Sequence, residues 1–287
     1  MPEMPEVAAV VEQLDSSLSG HAIAAVQLVS FSALKTYRIS LEALVGLEID
    51  GVYRHGKFVD IEAQGIHLIF HLARAGWVTW HAVAPKAAAR PGKSGLALRV
   101  MLDDGSGFSL TEAGTQKHLA IYVVEDPAQV PGIAALGPDP LAPTFNAADF
   151  HTVVHSRGHA QLKGILRDQR VLAGIGNAYS DEILHAAKLS PFKPADGLDE
   201  TATQDLFAVV RQVLEAALAA ARGVPLDQLK DTKRAGMRVH GRTGQPCPVC
   251  EDLVAEVSFA DSSLQYCPTC QTGGRPLADR RMSKLLK

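Results

Sequence analysis

The sequence has no cysteine before residue 247, no long apolar run and no excess of positive charge. No run approaches the roughly 18 apolar residues of a membrane span, and no apolar secretory leader is visible, so we expect a cytoplasmic protein without a membrane partner. The net charge of −3 lacks the basic excess typical of nucleic-acid-binding domains. Aromatic residues make up only 6% of the chain, and nothing in the N-terminal region resembles the stacking platform of an RNA-binding module.

The cysteines that are present form two pairs, Cys247-Pro-Val-Cys250 and Cys267-Pro-Thr-Cys270, with sixteen residues between the pairs. Two ligands on each of two tight turns can close a tetrahedron around one Zn²⁺, and the intervening segment suffices for a β-hairpin. Four thiolates fill the coordination shell, so we expect the zinc to be structural. Two disulfides are the alternative, which a reducing compartment disfavours.

The length of 287 residues is sufficient for two domains and a small zinc appendage. Apolar residues at 47% and charged residues at 21% are typical of an ordinary globular protein. The charge is uneven: residues 222–287 carry eleven Lys and Arg against seven Asp and Glu, which gives +4 there and leaves −7 elsewhere. This asymmetry permits a tail that faces DNA without requiring one, because a charge run is more often a solvated face.

The periodicity of the first 124 residues predicts one helix followed by an antiparallel β-domain. Apolar residues recur at helical spacing over 5–18, and the helix should end near Gly20. Short alternating runs bounded by turn residues then predict a sandwich or barrel, with an Ala/Pro/Lys-rich loop at 83–95. The predicted strands are 24–29, 48–53, 58–62, 67–72, 76–80, 96–102, 108–111 and 119–124.

The remainder of the chain is predicted to be helical until the cysteine pairs. A Pro- and Gly-rich stretch at 127–143 indicates a boundary, helical spacing runs from about 147 to 221, and 223–236 is predicted to be a loop. We therefore predict a multi-domain α+β protein. Its segments are an N-terminal β-sandwich domain at 1–130, a linker at 131–146, a helical domain at 147–236 and a zinc finger at 237–287.

A glycine-rich turn, Gly174-Ile-Gly176-Asn177, lies within the helical region. It lacks the third glycine and the βαβ surroundings of a dinucleotide-binding loop. Two glycines before a helix N-terminus allow a backbone phosphate to approach exposed N–H groups, which suits a helix–two-turn–helix element. A tight turn that merely packs two helices is the alternative.

Several segments together resemble the formamidopyrimidine-DNA glycosylase and endonuclease VIII family. The resemblance covers Met1-Pro2-Glu3 at the start, the stretch leading into the cysteine pairs, and most of the chain between them in the same order. The matching segments are 1–7, 54–58, 71–76, 136–141, 161–169, 174–179, 190–191 and 239–244. The resemblance implies a base-excision repair enzyme that removes oxidised bases and then cleaves the abasic strand.

The resemblance assigns catalysis to Pro2, Glu3 and Lys57. Removal of Met1 would expose the secondary amine of Pro2, and an α-amino group titrates near pH 8, so a fraction is nucleophilic at physiological pH. In this family that nitrogen attacks the sugar carbon that bears the damaged base. The Glu3 carboxyl can move protons to the sugar, and the Lys57 ammonium can hold a phosphate. Glu6 either orients the lesion or caps the first helix.

The resemblance also suggests residues that contact DNA. Lys163, Asn177 and the N–H groups near Gly176 are expected to hold phosphates, with Arg242 as a further contact from the finger. A flipped nucleotide leaves a gap in the base stack. Arg74 or His118 could pair with the orphaned base there, and Leu119 either wedges between bases or belongs to the core of a strand.

Two departures from the family pattern affect the expected chemistry. The segment 222–239 is about six residues shorter than in the formamidopyrimidine branch, which favours oxidised pyrimidines, ring-opened purines or hydantoins over 8-oxoguanine. Ser262 occupies the place of the family's finger arginine, and nothing in the sequence favours Arg275 as a substitute. A serine cannot supply the charged fork that a phosphate prefers, so we expect the second elimination to be inefficient.

The predicted partner is double-stranded DNA that contains damaged bases or abasic sites, bound by a nucleoid-associated monomer whose one cofactor is structural Zn²⁺. A non-catalytic lesion- or abasic-DNA-binding zinc-finger protein is the main alternative. It would be indicated by loss of Pro2, Glu3 or Lys57, and all three are present. An RNA-binding zinc-ribbon protein is disfavoured by the lack of a stacking platform.

Overall fold

The computed structural model describes residues 1–85, 95–260 and 262–278, which fold into two compact units. One unit comprises Met1–Ala135 with Ala220–Lys230, and the other comprises Leu136–Ala219 with the described part of Asp231–Lys287. Most of the loop predicted at 83–95 and the last residues of the predicted finger segment lie outside the described residues. The domain boundaries drawn from the sequence stay a prediction.

The first unit opens with the predicted helix, α1 (Met4–Leu18). Val7, Val10, Leu14 and Leu18 follow the spacing of one helical face, and all four are buried in the core. Pro5 stands in the first turn, where its missing N–H leaves no hydrogen bond unmade. The helix therefore presents one apolar stripe to the sheets that follow it.

Two four-stranded antiparallel sheets form the rest of this unit, in the orders β1-β6-β7-β5 and β2-β3-β4-β8. Their inner faces share one core with α1, in which the rings of Phe70 and Phe108 lie 6.2 Å apart. This arrangement confirms the predicted antiparallel β-sandwich. The strands are β1 (Ile23–Leu28), β2 (Gly51–His55), β3 (Phe58–Ala63), β4 (Ile66–His71), β5 (Gly76–His81), β6 (Leu96–Leu102), β7 (Gly107–Glu112) and β8 (Ala120–Val124).

All eight predicted strands are present, and the run at 48–53 shows the largest displacement. The backbone around Ile49 pairs with the segment that enters β1: the Ile49 N–H donates to the His21 carbonyl at 2.9 Å, and the Ile23 N–H donates to the Leu47 carbonyl at 2.9 Å. Pairing with β3 starts only at Gly51. The strand therefore begins later than its apolar pattern indicates.

The remaining described segments are largely helical, which confirms the second half of the predicted fold class. The segment 223–236 was expected to be a loop, and this expectation was wrong because its second half forms a helix. That helix buries only Leu229, so it has no apolar periodicity to detect, and Lys233 and Arg234 in its last turn suit the helix dipole. The helices are α2 (Pro131–Ala134), α3 (Ala147–His155), α4 (Leu162–Arg167), α5 (Asn177–Ala186), α6 (Glu200–Ala221), α7 (Leu229–Gly236) and α8 (Pro268–Thr272).

The predicted C-terminal hairpin consists of β9 (Ala255–Ser258) and β10 (Ser263–Tyr266), paired antiparallel between the two cysteine pairs. Val239, Val254 and the cysteine side chains form a small core of their own at its base. Among the described residues, no helix is long and apolar enough to cross a membrane.

Candidate active site and metal centre

The residues assigned to nucleophilic chemistry lie at the start of α1, where Pro2 and Glu3 are buried and Met1 is exposed. The Glu3 N–H donates to Oε2 of Glu6 at 2.8 Å, and the Glu3 carboxylate accepts from the Glu6 N–H, which makes a reciprocal capping box. Glu6 therefore caps α1, which is one of the two roles considered for it in the sequence. While Met1 is attached, the Pro2 nitrogen is an amide, so it becomes an amine only when Met1 is removed.

Lys57 is buried in the turn that joins β2 to β3. Arg54 braces this turn, because its Nη1 donates to the Gly56 carbonyl at 2.9 Å. His71 ends β4, and its ring lies 4.7 Å from the Phe58 ring. Burial, with a smaller effect of the Lys57 charge, lowers the pKa of His71 to about 4. The Lys57 ammonium therefore faces a neutral imidazole at physiological pH.

A buried carboxylate beside the same hairpin was missed in the sequence. Asp60 on β3 lies 2.9 Å from Nε2 of His55 and 2.9 Å from Nδ1 of His67, so one acid holds histidines of both neighbouring strands. The run Phe58–Ala63 contains two acids, Asp60 and Glu62, and only Asp60 is buried. Which acid of a strand is buried, and which histidines lie beside it, is not known until the strand pairing is known.

Arg74, His118 and Leu119 were considered for the space that a flipped nucleotide leaves in the base stack, and they differ in exposure. Arg74 in the β4–β5 turn and His118 before β8 are exposed. Leu119 is buried in the sandwich core, so the proposed wedge role was wrong and the strand-core alternative holds. The buried carboxylate of Glu112 accepts the N–H groups of His118 and Leu119 at 2.7 and 3.0 Å and fixes this segment.

The glycine-rich turn joins α4 to α5 through a closed set of hydrogen bonds. Gly174 has φ +91°, which a residue with a side chain rarely adopts, and its N–H donates to Oε1 of Gln169 at 2.9 Å. Gln169 also donates from Nε2 to the Ile175 carbonyl at 2.6 Å. The N–H of Gly174 is thus committed within the turn, and Gly176 caps α5. The phosphate contacts expected of Gly176 and Asn177 stay a prediction.

Asn177 links this turn to the C-terminal hairpin. Its Nδ2 donates to the Ser263 carbonyl at 2.8 Å. Its Oδ1 is buried and has no hydrogen-bond partner within the described residues. The sequence prediction for Asn177 anticipated a phosphate contact and not this attachment to the hairpin.

Lys163 is not placed as a surface phosphate ligand. Only 4% of the residue is exposed, and its Nζ lies 2.6 Å from Oδ1 of Asp181, 2.8 Å from Oγ of Ser180 and 3.1 Å from the Asn177 carbonyl. The other Asp181 oxygen lies 2.8 Å from Nδ1 of His240. This geometry contradicts the expected direct phosphate contact, because the charge of Lys163 is balanced inside the protein by an acid that the sequence did not single out.

Glu182 on α5 holds the chain that enters the finger. Its carboxylate accepts the N–H groups of residues 238–240 at 2.8, 2.9 and 2.8 Å. Burial raises the pKa of Glu182, and these three hydrogen bonds oppose that shift. Arg242 follows, half-buried, with Nε donating to Gln245 Oε1 at 3.0 Å and Nη1 to the Met237 carbonyl at 3.3 Å. Arg242 therefore contributes to the turn before the first cysteine pair.

The sulfur atoms of Cys247, Cys250, Cys267 and Cys270 all lie within 4.8 Å of one another, and no disulfide joins them. The shortest separations are 3.3, 3.4 and 3.9 Å. Four sulfurs placed about 2.3 Å from a zinc ion form a tetrahedron with edges of about 3.8 Å. Burial raises the pKa of Cys270 to about 11, and a bound divalent cation is what favours the thiolate form in such a site. The donor set thus fits one structural Zn²⁺, which confirms the predicted metal centre.

Three family models match the chain in succession. The formamidopyrimidine-DNA glycosylase N-terminal domain matches residues 1–116, and the H2TH domain of the same glycosylase matches residues 136–226. The zinc finger found in FPG and IleRS matches residues 244–273, which contain all four cysteines. The three matched segments contain most of the β-sandwich, the helix–two-turn–helix and the cysteine cluster.

The chain is similar to curated proteins over nearly its full length. It is 32% identical over 281 residues to the formamidopyrimidine-DNA glycosylase of Heliobacterium modesticaldum, with 94% of this chain and 100% of that protein covered. It is also 52% identical over 160 residues to a formamidopyrimidine-DNA glycosylase-like protein of Mycobacterium tuberculosis, which spans 56% of this chain and 99% of that protein.

Solved structures agree with this assignment. The MutM (Fpg) protein of Thermus thermophilus superposes with a TM-score of 0.79 at 28% identity and covers 96% of this chain and 100% of its own. The Lactococcus lactis Fpg in complex with DNA that contains an oxidised pyrimidine superposes with a TM-score of 0.82 at 25% identity, covering 94% and 100%. The chain therefore belongs to the formamidopyrimidine-DNA glycosylase family of base-excision repair enzymes.

Proposed function

We propose that this DNA glycosylase is bifunctional: it excises oxidised bases and then cleaves the abasic strand through a Schiff base on Pro2. The observation that carries the proposal is the placement of Pro2 and Glu3, buried together at the first turn of a helix whose cap is closed by Glu6. A nucleophile at the end of a disordered terminus would be poorly oriented. Here the first turn of α1 holds it in place, and orientation contributes strongly to rate.

The proposed reaction starts once Met1 has been removed. The lone pair of the Pro2 nitrogen attacks C1′ of the damaged nucleotide and the bond between C1′ and the base breaks. The base leaves with the proton that the Pro2 nitrogen loses. Glu3 protonates the sugar ring oxygen, the ring opens, and an iminium forms between Pro2 and C1′. The Glu3 carboxylate, which has given up its proton, then accepts a proton from C2′, and the electron pair of that C–H bond expels the 3′ phosphate. Lys57, beside the neutral His71, supplies positive charge for a phosphate near the reacting sugar.

The proposed substrate is double-stranded DNA with a damaged base or an abasic site. Lactococcus lactis Fpg has been solved with DNA that contains an abasic site and with DNA that contains an oxidised pyrimidine. In this chain the backbone N–H groups at the start of α5, at Gly176 and Asn177, would seat a phosphate, and the exposed Arg74 and His118 would reach the unpaired base. We keep the preference for oxidised pyrimidines, ring-opened purines or hydantoins as part of the proposal, with the protein acting as a cytoplasmic monomer on nucleoid DNA.

Borohydride trapping on abasic DNA tests the covalent step. Protein that carries a C-terminal tag, with removal of Met1 verified by mass spectrometry, is expected to form a trapped complex whose adduct maps to Pro2. Protein that retains Met1 should bind the same DNA with unchanged affinity and give no trapped complex. Pro5→Ala, which leaves the terminal amine intact, serves as the matched control and should trap like the wild type.

Full activity from a preparation verified to retain Met1 would refute the assignment of Pro2 as the nucleophile. A processed protein that binds abasic DNA tightly but neither traps nor excises would instead support the non-catalytic lesion-binding alternative.

A further inference from the structure

A histidine of the helix–two-turn–helix touches the metal centre. His185 lies on α5, only 2% of it is exposed, and its Nε2 is 3.2 Å from Sγ of Cys247. Its other ring nitrogen, Nδ1, is buried and has no hydrogen-bond partner within the described residues. A neutral imidazole carries one N–H, and a metal-bound thiolate can only accept. The contact therefore places that N–H on Nε2, directed at the sulfur.

The negative charge of a zinc-loaded metal centre would be stabilised by this contact. Four thiolates around one Zn²⁺ carry a net charge of −2, and the sulfurs of Cys247 and Cys267 are buried. Buried charge is unfavourable unless hydrogen bonds compensate for the lost hydration. N–H donors outside the coordination shell supply this compensation and also orient the ligands.

We propose that His185 is a positioning residue of the zinc centre, whose Nε2–H donates to the Cys247 thiolate and slows loss of the metal. This makes retention of zinc a property of α5 as well as of the four cysteines. The same helix already holds the finger through Glu182, one turn before His185, and through Asn177. The proposal concerns the metal centre and is independent of the Pro2 chemistry.

Three variants of the zinc-loaded full chain test the proposal. His185→Phe keeps an aromatic ring and removes the donor, whereas His185→Gln places an amide N–H near the position of Nε2. His159→Phe is the matched control, since His159 is exposed and contacts Asp196. The first measurement is the rate of zinc release to a chelating dye, and the second is the sulfur-to-metal charge-transfer band of the cobalt-substituted proteins.

We expect His185→Phe to release zinc roughly tenfold faster than the wild type, which is the lower end of the effect of removing such a hydrogen bond. His185→Gln should restore most of the wild-type rate, and the control should not change it. The charge-transfer band should move in the Phe variant and return in the Gln variant, because the donor alters the electron density on sulfur. A loss of packing alone would leave the charge-transfer band unmoved in both variants.

Equal release rates for His185→Phe and the wild type would overturn the proposal. So would equal acceleration in the Phe and Gln variants with an unmoved band, since that pattern indicates packing. If His185→Phe does not fold, NMR of the cadmium-substituted wild type tests the hydrogen bond directly. A scalar coupling between the metal and the His185 N–H proton supports the hydrogen bond, and its absence, with the ring N–H protected from exchange, refutes it.

Discussion

At the scale of single residues, Lys163 shows that a basic side chain in a helix–two-turn–helix can be neutralised inside the protein. Its Nζ is surrounded by Asp181, Ser180 and the Asn177 carbonyl, and Asp181 is in turn held by His240. Such a buried ion pair contributes little net stability, but breaking it leaves an uncompensated charge. Lys163 is therefore better described as a support for the start of α5 than as a counterion for phosphate.

We predict that Lys163→Met lowers the free energy of unfolding by about 3 kcal/mol, because Asp181 keeps a buried charge without its partner. Urea denaturation measures this loss. The salt dependence of DNA binding by the folded variant should keep the wild-type slope, since no phosphate contact is removed. A slope flattened by about one counterion would show instead that Lys163 reaches the DNA.

Lys188→Asn is the matched control for this measurement. Lys188 is exposed and has φ +54°, a backbone conformation that asparagine tolerates. The substitution removes one surface charge from the same unit, so its free energy of unfolding should stay within about 0.5 kcal/mol of the wild type.

His71 makes the first unit sensitive to acid. Its pKa is about 4 in the folded protein against 6.5 when the ring is exposed, so the unfolded chain binds a proton more readily between these values. This contribution to stability is complete above pH 6.5 and falls as the pH drops from 6.5 towards 4, by about 3 kcal/mol in all. His71→Asn keeps an acceptor for the Ala73 N–H and should remove this part of the pH dependence. Urea denaturation at pH 7.5 and pH 5 checks it; an unchanged difference between the two pH values would contradict the assignment.

At the scale of elements, the finger hairpin lacks the basic side chains that bind phosphate. The sixteen residues between Cys250 and Cys267 contain four acidic residues and no lysine or arginine. Ser262 stands at the hairpin turn, where its carbonyl accepts the Phe259 N–H at 2.7 Å. An acidic hairpin repels a phosphate, which adds a physical reason for the expected inefficiency of the second elimination.

We predict that wild-type digestion of abasic DNA leaves mainly the unsaturated sugar remnant on the 3′ side of the nick, and that Ser262→Arg shifts the product towards a 3′ phosphate. Ser258→Arg adds the same charge to the opposite strand of the hairpin and should leave the product ratio unchanged. Gel separation of the two 3′ ends gives the ratio. Mostly 3′ phosphate from the wild type, unaffected by Arg275→Ala, would refute this account of Ser262.

At the scale of the whole molecule, the chain forms two units that differ in what stabilises them. The first relies on a shared apolar core between α1 and two sheets. The second includes the finger, whose own core consists of Val239, Val254 and cysteine side chains. So small a core seldom suffices without a metal, so zinc should stabilise the finger and not the sandwich.

We predict that removal of zinc by a chelator abolishes DNA binding and unfolds the finger while the sandwich stays folded. Hydrogen exchange should show loss of protection in β9 and β10 and unchanged protection in β3 and β4. Exchange after zinc is restored under reducing conditions is the control and should recover the original pattern. Loss of protection in both regions would show that the two units depend on the metal together.

The sequence alone determined the features that depend on short-range pattern. Cysteine spacing predicted the zinc site, alternation predicted the eight strands, and the stripe from Val7 to Leu18 predicted α1. These succeed because ligand reach, strand pleat and helical turn act over a few residues of chain. Only the tertiary structure decided that Lys163 is buried against Asp181, that Leu119 belongs to the core and that His185 meets Cys247. Each of these is set by segments distant in sequence, whose approach depends on how whole elements pack and cannot be read from the residues beside them.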